Sequence, residues 1–141
     1  DRDYYDFHDL AVQYDDGTYL FVAESIILSA HDDAPSSTNK ASFVTGGYRF
    51  GSMMAMLTYG LRKDSEDDLV QDMTLPPTHP LYLAAKGAQE SAVIDTKQWT
   101  LGYRWDFTAG MTFKAEVIDS TDNKDSDNDS ILTRAGIQVV F

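Results

Sequence analysis

The chain has 141 residues, a net charge of −12 with a pI near 4.3, and no cysteine. That length suits one domain, the acidity leaves no basic stripe to displace counterions from nucleic-acid phosphates, and the missing thiols exclude disulfide frameworks, thiolate nucleophiles and cysteine-ligated metals. No run of 18 apolar residues occurs, because the longest candidate, "LFVAESIILSA" at 20 to 30, is interrupted by Glu24, so a transmembrane helix is not expected.

In chain order, "DRDYYDFHD" lacks a basic region followed by an apolar one and reads as the interior of a chain, so any secretory signal is expected to have been removed or to lie outside this sequence. Period-two alternation then predicts strands over about 9–15, 18–29, 40–50, 53–63, 95–106, 110–119 and 131–141, while helical spacing is hard to find. The fold class expected is all-β. Asp16-Gly17, Gly51-Ser52 and "FTAG" at 107–110 read as tight hairpin turns, with glycine supplying positive φ. The alternate connections, about 31–40, 64–92 and 120–129, are long and acidic. Short connections at one end and long ones at the other suggest an asymmetric barrel.

Register sharpens this expectation, since residues paired across strands share a face. Pairing Asp15 with Thr18 puts Ala11, Gln13 and Asp15 on one side with Leu20, Val22 and Glu24, and Leu10, Val12 and Tyr14 on the other with Tyr19, Phe21 and Ala23. Closing the second hairpin at Gly51-Ser52 gathers Phe43, Thr45, Gly47, Arg49, Met54, Met56 and Thr58 against Val44, Tyr48, Phe50, Ala55, Leu57, Tyr59 and Leu61. In the third, Trp99, Leu101, Tyr103 and Trp105 align with Met111, Phe113, Ala115 and Val117, opposite Gln98, Thr100, Arg104, Lys114 and Glu116.

Alternation alone fits a soluble sandwich, a small ligand-carrying barrel or a membrane barrel. Three features point the apolar face outward, toward lipid. Tyr14, Tyr19, Phe50, Trp105 and Phe141 bunch by the short turns, as an interfacial girdle would. The strands are about ten residues long, enough to cross a bilayer when tilted. The opposite face mixes Gly, Thr, Gln, Arg, Lys and Glu, which suits a wet lumen.

The chain ends "ILTRAGIQVVF", with apolar residues at alternate positions and a terminal aromatic. This resembles the closing strand of Gram-negative outer-membrane β-barrels, with Phe141, Val139, Ile137 and, more weakly, Ala135 as the matching positions. Together with "YDDGTYLFVAE", "GYRFG" and "LGYRWDFTAGMTFKAEV", the chain looks like the C-terminal portion of a porin-type protein. The resemblance implies an antiparallel transmembrane β-barrel in the bacterial outer membrane with its C-terminus on the periplasmic side. It also implies short periplasmic turns, long extracellular loops, contact with outer-membrane lipid and lipopolysaccharide, an assembly signal at Phe141, Val139 and Ile137 for the barrel-assembly machinery, and a possible homotrimer. Neither nucleic acid nor a cofactor is expected as a partner.

Strand parity limits how such a barrel closes. With seven strands the first and last run the same way, whereas bacterial single-chain barrels are even-stranded and antiparallel. The expectation is a C-terminal fragment of a larger, even-stranded barrel. The alternative is an eight-stranded barrel in which "DRDYYDFH" supplies a degenerate strand.

Candidate lumen-facing selectivity residues are Glu24, Arg49, Arg104, Lys114, Glu116 and Arg134, which would set the transverse field met by a solute or would simply pair across the wall. Gly47 and Gly102 either leave room for large neighbours or mark bends. The acidic loops, with Asp64, Glu66, Asp67, Asp68 and Asp72 in one and Asp119, Asp122, Asp125, Asp127 and Asp129 in another, offer hard oxygen ligands. Asp125, Asp127 and Asp129 are weak Ca/Mg candidates, because "DSDNDS" has Ser130 at the glycine position of an EF-hand loop and no closing glutamate. His31 beside Asp32 and Asp33 allows a hydrolase triad to be imagined, but no serine stands in a nucleophile context. His79 in "LPPTHP" falls in the long loop, which either enters the pore or covers its top. The function expected is passive diffusion of small hydrophilic solutes or ions, without catalysis. Alternatives are a barrel acting through its loops as adhesin, receptor or structural protein, or a barrel hydrolase.

Overall fold

The computed structural model describes residues 4–31, 38–64 and 74–140, the side chains at 30, 31 and 89–92 excepted. In chain order its elements are β1 Tyr4–Asp15, β2 Tyr19–His31, β3 Asn39–Phe50, β4 Met53–Asp64, α1 Pro80–Ala92, β5 Asp95–Thr108, β6 Met111–Asp122, a 3₁₀ turn at Ser126–Asn128 and β7 Ser130–Val139. The strands form one antiparallel meander in sequence order, β1 to β7. The sheet is open: β1 pairs with β2 alone and β7 with β6 alone. Directions alternate across seven strands, so β1 and β7 run the same way.

Turn chemistry fixes the short connections. Gly17, Gly51 and Gly110 have φ of 88°, 65° and 75°, a region that L side chains enter at a cost. Phe50 pairs with Met53 around Gly51-Ser52, the register expected. The first hairpin differs. Asp15 pairs with Leu20 rather than Thr18, so four residues, 16 to 19, lie between the last paired positions where two were expected. The carboxylates stabilise the longer turn: Asp15 accepts from the Gly17 amide at 2.9 Å, and Asp16 accepts from the Thr18 and Tyr19 amides at 2.9 and 2.7 Å. A shift of two residues preserves which residues share a face, so the partition of side chains survives. In the third hairpin the ladder skips Phe107 between Asp106 and Thr108.

Three elements depart from the sequence-based expectation. "DRDYYDFH" is no separate eighth strand: from Tyr4 onward it is the first half of β1, with Tyr4 opposite His31. Within 64–92, residues Pro80–Ala92 form α1. His79 caps it, its Nδ1 accepting from the Leu81 amide at 3.2 Å, and Pro80 occupies the first turn, where its missing N–H costs nothing. Ala, Lys and Gln supply the helix propensity, yet among the described residues α1 packs against no strand. Finally, Asp64 is not a solvated loop residue. It closes β4, is 5% exposed and donates its amide to the Ile94 carbonyl at 2.8 Å.

The distribution of burial follows the two faces. Along β3 the residues alternate without exception, Asn39, Ala41, Phe43, Thr45, Gly47 and Arg49 half-buried and Lys40, Ser42, Val44, Gly46, Tyr48 and Phe50 exposed. The more shielded side is thus the one that carries Thr45, Arg49, Thr58, Thr100 and Glu116 (the polar face), while Arg104 and Lys114 on the same face stand exposed. The apolar face exposes Val12, Tyr14, Phe21, Val44, Leu57, Leu101, Trp105, Val117 and Ile137. Aromatic contacts run along it, with ring centroids 5.4 Å apart for Tyr19–Tyr48, 6.2 Å for Tyr48–Phe50 and 4.5 Å for Tyr59–Trp99. Near the start of β1 the pattern inverts, Tyr5 and Phe7 standing exposed on the polar side, as Leu132 does on β7. Among the described residues the only buried apolar side chains are Met54 and Ile118, both on the polar face.

Two outcomes test these turns. At Gly110 an added Cβ would lie 2.6 Å from the Val140 carbonyl oxygen at a positive φ, so Gly110→Ala should lose about 1–3 kcal/mol in urea unfolding, while Gly46→Ala, which meets nothing within 4 Å, should lose none. The Thr18 and Tyr19 amides hold the Asp16 carboxyl below its ordinary 3.8. Its folded value being depressed, the contribution is complete above that value and fades as pH falls through the folded one. Acid unfolding followed by circular dichroism should therefore be less steep below about pH 4 in Asp16→Ala than in the parent.

Candidate functional site

The polar face carries its charges in a belt near the short turns. One row across the sheet runs Arg49, Met54, Arg104, Lys114, Gly136, and the row beside it on the loop side runs Leu20, Gly47, Met56, Gly102, Glu116, Arg134. Five of the six candidate lumen residues, Arg49, Arg104, Lys114, Glu116 and Arg134, are brought together in these two rows. Glu24 shares their face but sits opposite Phe43, four residues farther along the strand, or about 13 Å from the belt.

Small residues make room for the belt. An added Cβ at Gly47 would lie 2.6 Å from Met54 Cε and 3.2 Å from Leu20 Cβ, and one at Gly102 would lie 3.4 Å from Met56 Cε. Each glycine therefore vacates the space that a methionine of β4 leans into. Met54, 5% exposed, fills the gap between Arg49 and Arg104 with apolar volume.

Most of the charges are paired in place. Arg49 grips Asp15 with both ends of its guanidinium, Nη1 to Oδ1 at 2.7 Å and Nη2 to Oδ2 at 2.9 Å, a planar fork that lysine could not reproduce. Arg104 Nε donates to both oxygens of Asp106 at 3.0 and 3.1 Å, and the Thr112 hydroxyl donates to the same carboxylate at 2.6 Å. Across the β6–β7 ladder, Arg134 donates from Nε to Glu116 Oε2 at 2.6 Å. Lys114 is different: its Nζ donates to the neutral amide of Gln138 at 3.1 Å. An open groove of about 570 Å³ runs past Arg104, Asp106, Thr112, Lys114 and Gln138. Above it, the Thr45 and Thr58 hydroxyls bond to each other at 2.8 Å and give the middle of the face a neutral, hydrated character.

Asp15, Asp106, Thr112 and Gln138 belong to the belt and were not singled out from the sequence. Asp106 carried a signal, two residues beyond Arg104 and hence on its face. Gln138 carried none, since its pairing with Lys114 depends on the β6–β7 register. Ile137 and Val139 of the terminal motif lie on the apolar face of β7, and Phe141 falls outside the described residues.

The acidic loop residues are engaged locally. Asp125 accepts from the Asp127 amide at 3.0 Å, and Asp129 from the Asp122 amide at 2.9 Å. Asp119 and Asp122 lie within β6, and no group of three His, Cys, Asp or Glu side chains converges on a cation position among the described residues. Asp125, Asp127 and Asp129 are thus not gathered into a donor set. His8 lies on the apolar face of β1, His79 is the helix cap, and the side chain of His31, with Asp32, Asp33, Glu66, Asp67, Asp68 and Asp72, falls outside the described ones.

Compared with family models, curated proteins and solved structures, the chain matches none.

The Glu116–Arg134 pair sets a measurable scale, the two side chains being 27% and 65% exposed. A double-mutant cycle with Glu116→Gln and Arg134→Gln should give a coupling of about 0.2–1 kcal/mol that disappears near 1 M salt. A larger coupling that persists in salt would mark the pair as a desolvated brace.

Proposed function

We propose that this chain forms part of the wall of a transmembrane β-barrel in the bacterial outer membrane and conducts small hydrophilic solutes or ions passively through a lumen lined by its polar face. The observation that carries this reading is the burial in the middle of the sheet: Thr45, Arg49, Met54, Thr58, Thr100 and Gly102 on the polar face are half-buried or buried, whereas Val44, Tyr48, Leu57 and Leu101 on the apolar face are exposed. A soluble sandwich or ligand-carrying barrel requires the opposite.

Dimensions support the same reading. On β4 the apolar side runs from Met53 to Leu61, eight steps of about 3.4 Å, or about 27 Å; a strand tilt near 40° reduces this to a band about 21 Å tall, close to that of outer-membrane barrels. Its turn-side margin is rich in aromatics, with Phe50, Trp105 and Phe113 in one row. Because β1 and β7 run the same way, antiparallel closure needs an odd number of further strands between them, so the whole barrel is even-stranded. On the resemblance of this stretch to the closing strand of outer-membrane barrels, Ile137, Val139 and Phe141 would engage the barrel-assembly machinery, and lipopolysaccharide and further copies of the chain would be its neighbours.

In the belt, three arginines are offset by Asp15, Asp106 and Glu116, leaving Lys114 as the charge whose partner is neutral. A permeating ion would thus meet fixed dipoles and one net positive site. A second reading, a barrel acting through its loops as receptor or adhesin, draws on α1, which leaves Leu81 and Leu83 exposed and among the described residues packs on no strand.

Planar-bilayer recording of the full-length protein tests the first reading: ohmic conductance steps are expected, and a folded, inserted but silent protein would favour the second. Lys114→Glu should move the reversal potential toward cations, and further than Arg49→Gln does. Reversal potentials that ignore all of Arg49, Arg104 and Lys114 would mean that these side chains only brace the wall.

A further inference from the structure

The strand cations separate by type as well as by place. The polar face holds all the strand arginines; the apolar face holds lysines alone, Lys40, Lys63 and Lys97, and these three are neighbours. Lys40 stands directly opposite Lys63, and Lys97 stands opposite Leu61, two residues nearer the turns. The patch marks the loop-side margin of the apolar band, immediately beyond Leu61 and Trp99.

Two ammonium groups facing each other across an antiparallel pair repel, and nothing in the sheet's own pairing requires them. Among the described residues the acid paired with the patch, Asp95, compensates only in part. Lys63 Nζ lies 3.9 Å from Asp95 Oδ2, at the outer limit of an ion pair, with the lysine side chain 73% exposed, and the Asp95 carboxylate also accepts from Asn123 Nδ2 at 2.6 Å. Lysine suits such a margin better than arginine would: its apolar stem lies along hydrocarbon while a compact charge rises to the headgroup level.

We infer that Lys40, Lys63 and Lys97 bind the phosphate of an anionic lipid headgroup in the leaflet on the loop side. This rests on the lipid-facing reading of the apolar face. Trp99, two residues from Lys97 on the same face of β5, is a built-in reporter. The full chain with Trp105→Phe is folded into phosphatidylcholine vesicles, and quenching of Trp99 by spin-labelled phosphatidic acid is compared with quenching by spin-labelled phosphatidylcholine. The anionic lipid should be preferred at least about threefold, the preference shrinking toward one near 0.5 M salt and in the K40Q/K63Q/K97Q variant. Equal quenching by both lipids, or a preference that survives the triple substitution, would overturn the inference while leaving the lipid-facing face intact. Quenching by neither lipid would overturn both. Loss of the preference on adding inorganic phosphate alone would make the patch a site for free phosphate, and the lipid assignment would fall.

Discussion

Among the described residues nothing covers the apolar face of the sheet, and the other features answer to that constraint. Burying a single Leu, Val or Phe side chain is worth about 1.5–3 kcal/mol, and more than a dozen such side chains stand exposed here. Left in water, the sheet would forgo tens of kcal/mol against a net stability of about 5–15 kcal/mol for an ordinary domain. Two buried apolar side chains among the described residues, Met54 and Ile118, cannot offset this, and an apolar medium against that face, as proposed above, would remove the cost. The backbone is consistent with such a medium. Within the sheet its polar groups pair strand to strand, which leaves unpaired groups only at the outer edges of β1 and β7.

From that constraint the polar face acquires its form. The space on the polar face that Met54 and Met56 occupy is left open by Gly47 and Gly102. Charges brought together on one face repel or pair, and Arg49, Arg104 and Arg134 each pair with a carboxylate. The belt lies next to the short turns, while the acid-rich connections lie at the other end. The field along the axis of such a wall is therefore uneven, mixed in sign at one end and negative at the other.

Much of this was legible in the residues. Strand existence and the division into faces follow from period-two alternation, which a register error of two leaves unchanged; that is why misplacing the first turn did not misplace Asp15 or Glu24 on their face. The error itself arose because Asp-Gly is a two-residue turn signal, whereas here two aspartate side chains cap a longer loop through its amides. Helix α1 was hidden by "LYL", whose i, i+2 leucines mimic a strand, and by the prolines before it. The partner of Lys114 was less accessible than that of Arg104, since Gln138 reaches it only through the register of β7 on β6. No spacing rule carries that information.

The most direct test of the central claim uses the two tryptophans of the chain, Trp99 and Trp105, both on the apolar face. The full chain, folded in bilayers, should show their fluorescence quenched by acyl chains brominated near the headgroup and left untouched by aqueous iodide. Strong iodide quenching with no response to brominated lipid would place the aromatic face in water or in a protein core, and the account of this sheet as a membrane wall would be contradicted.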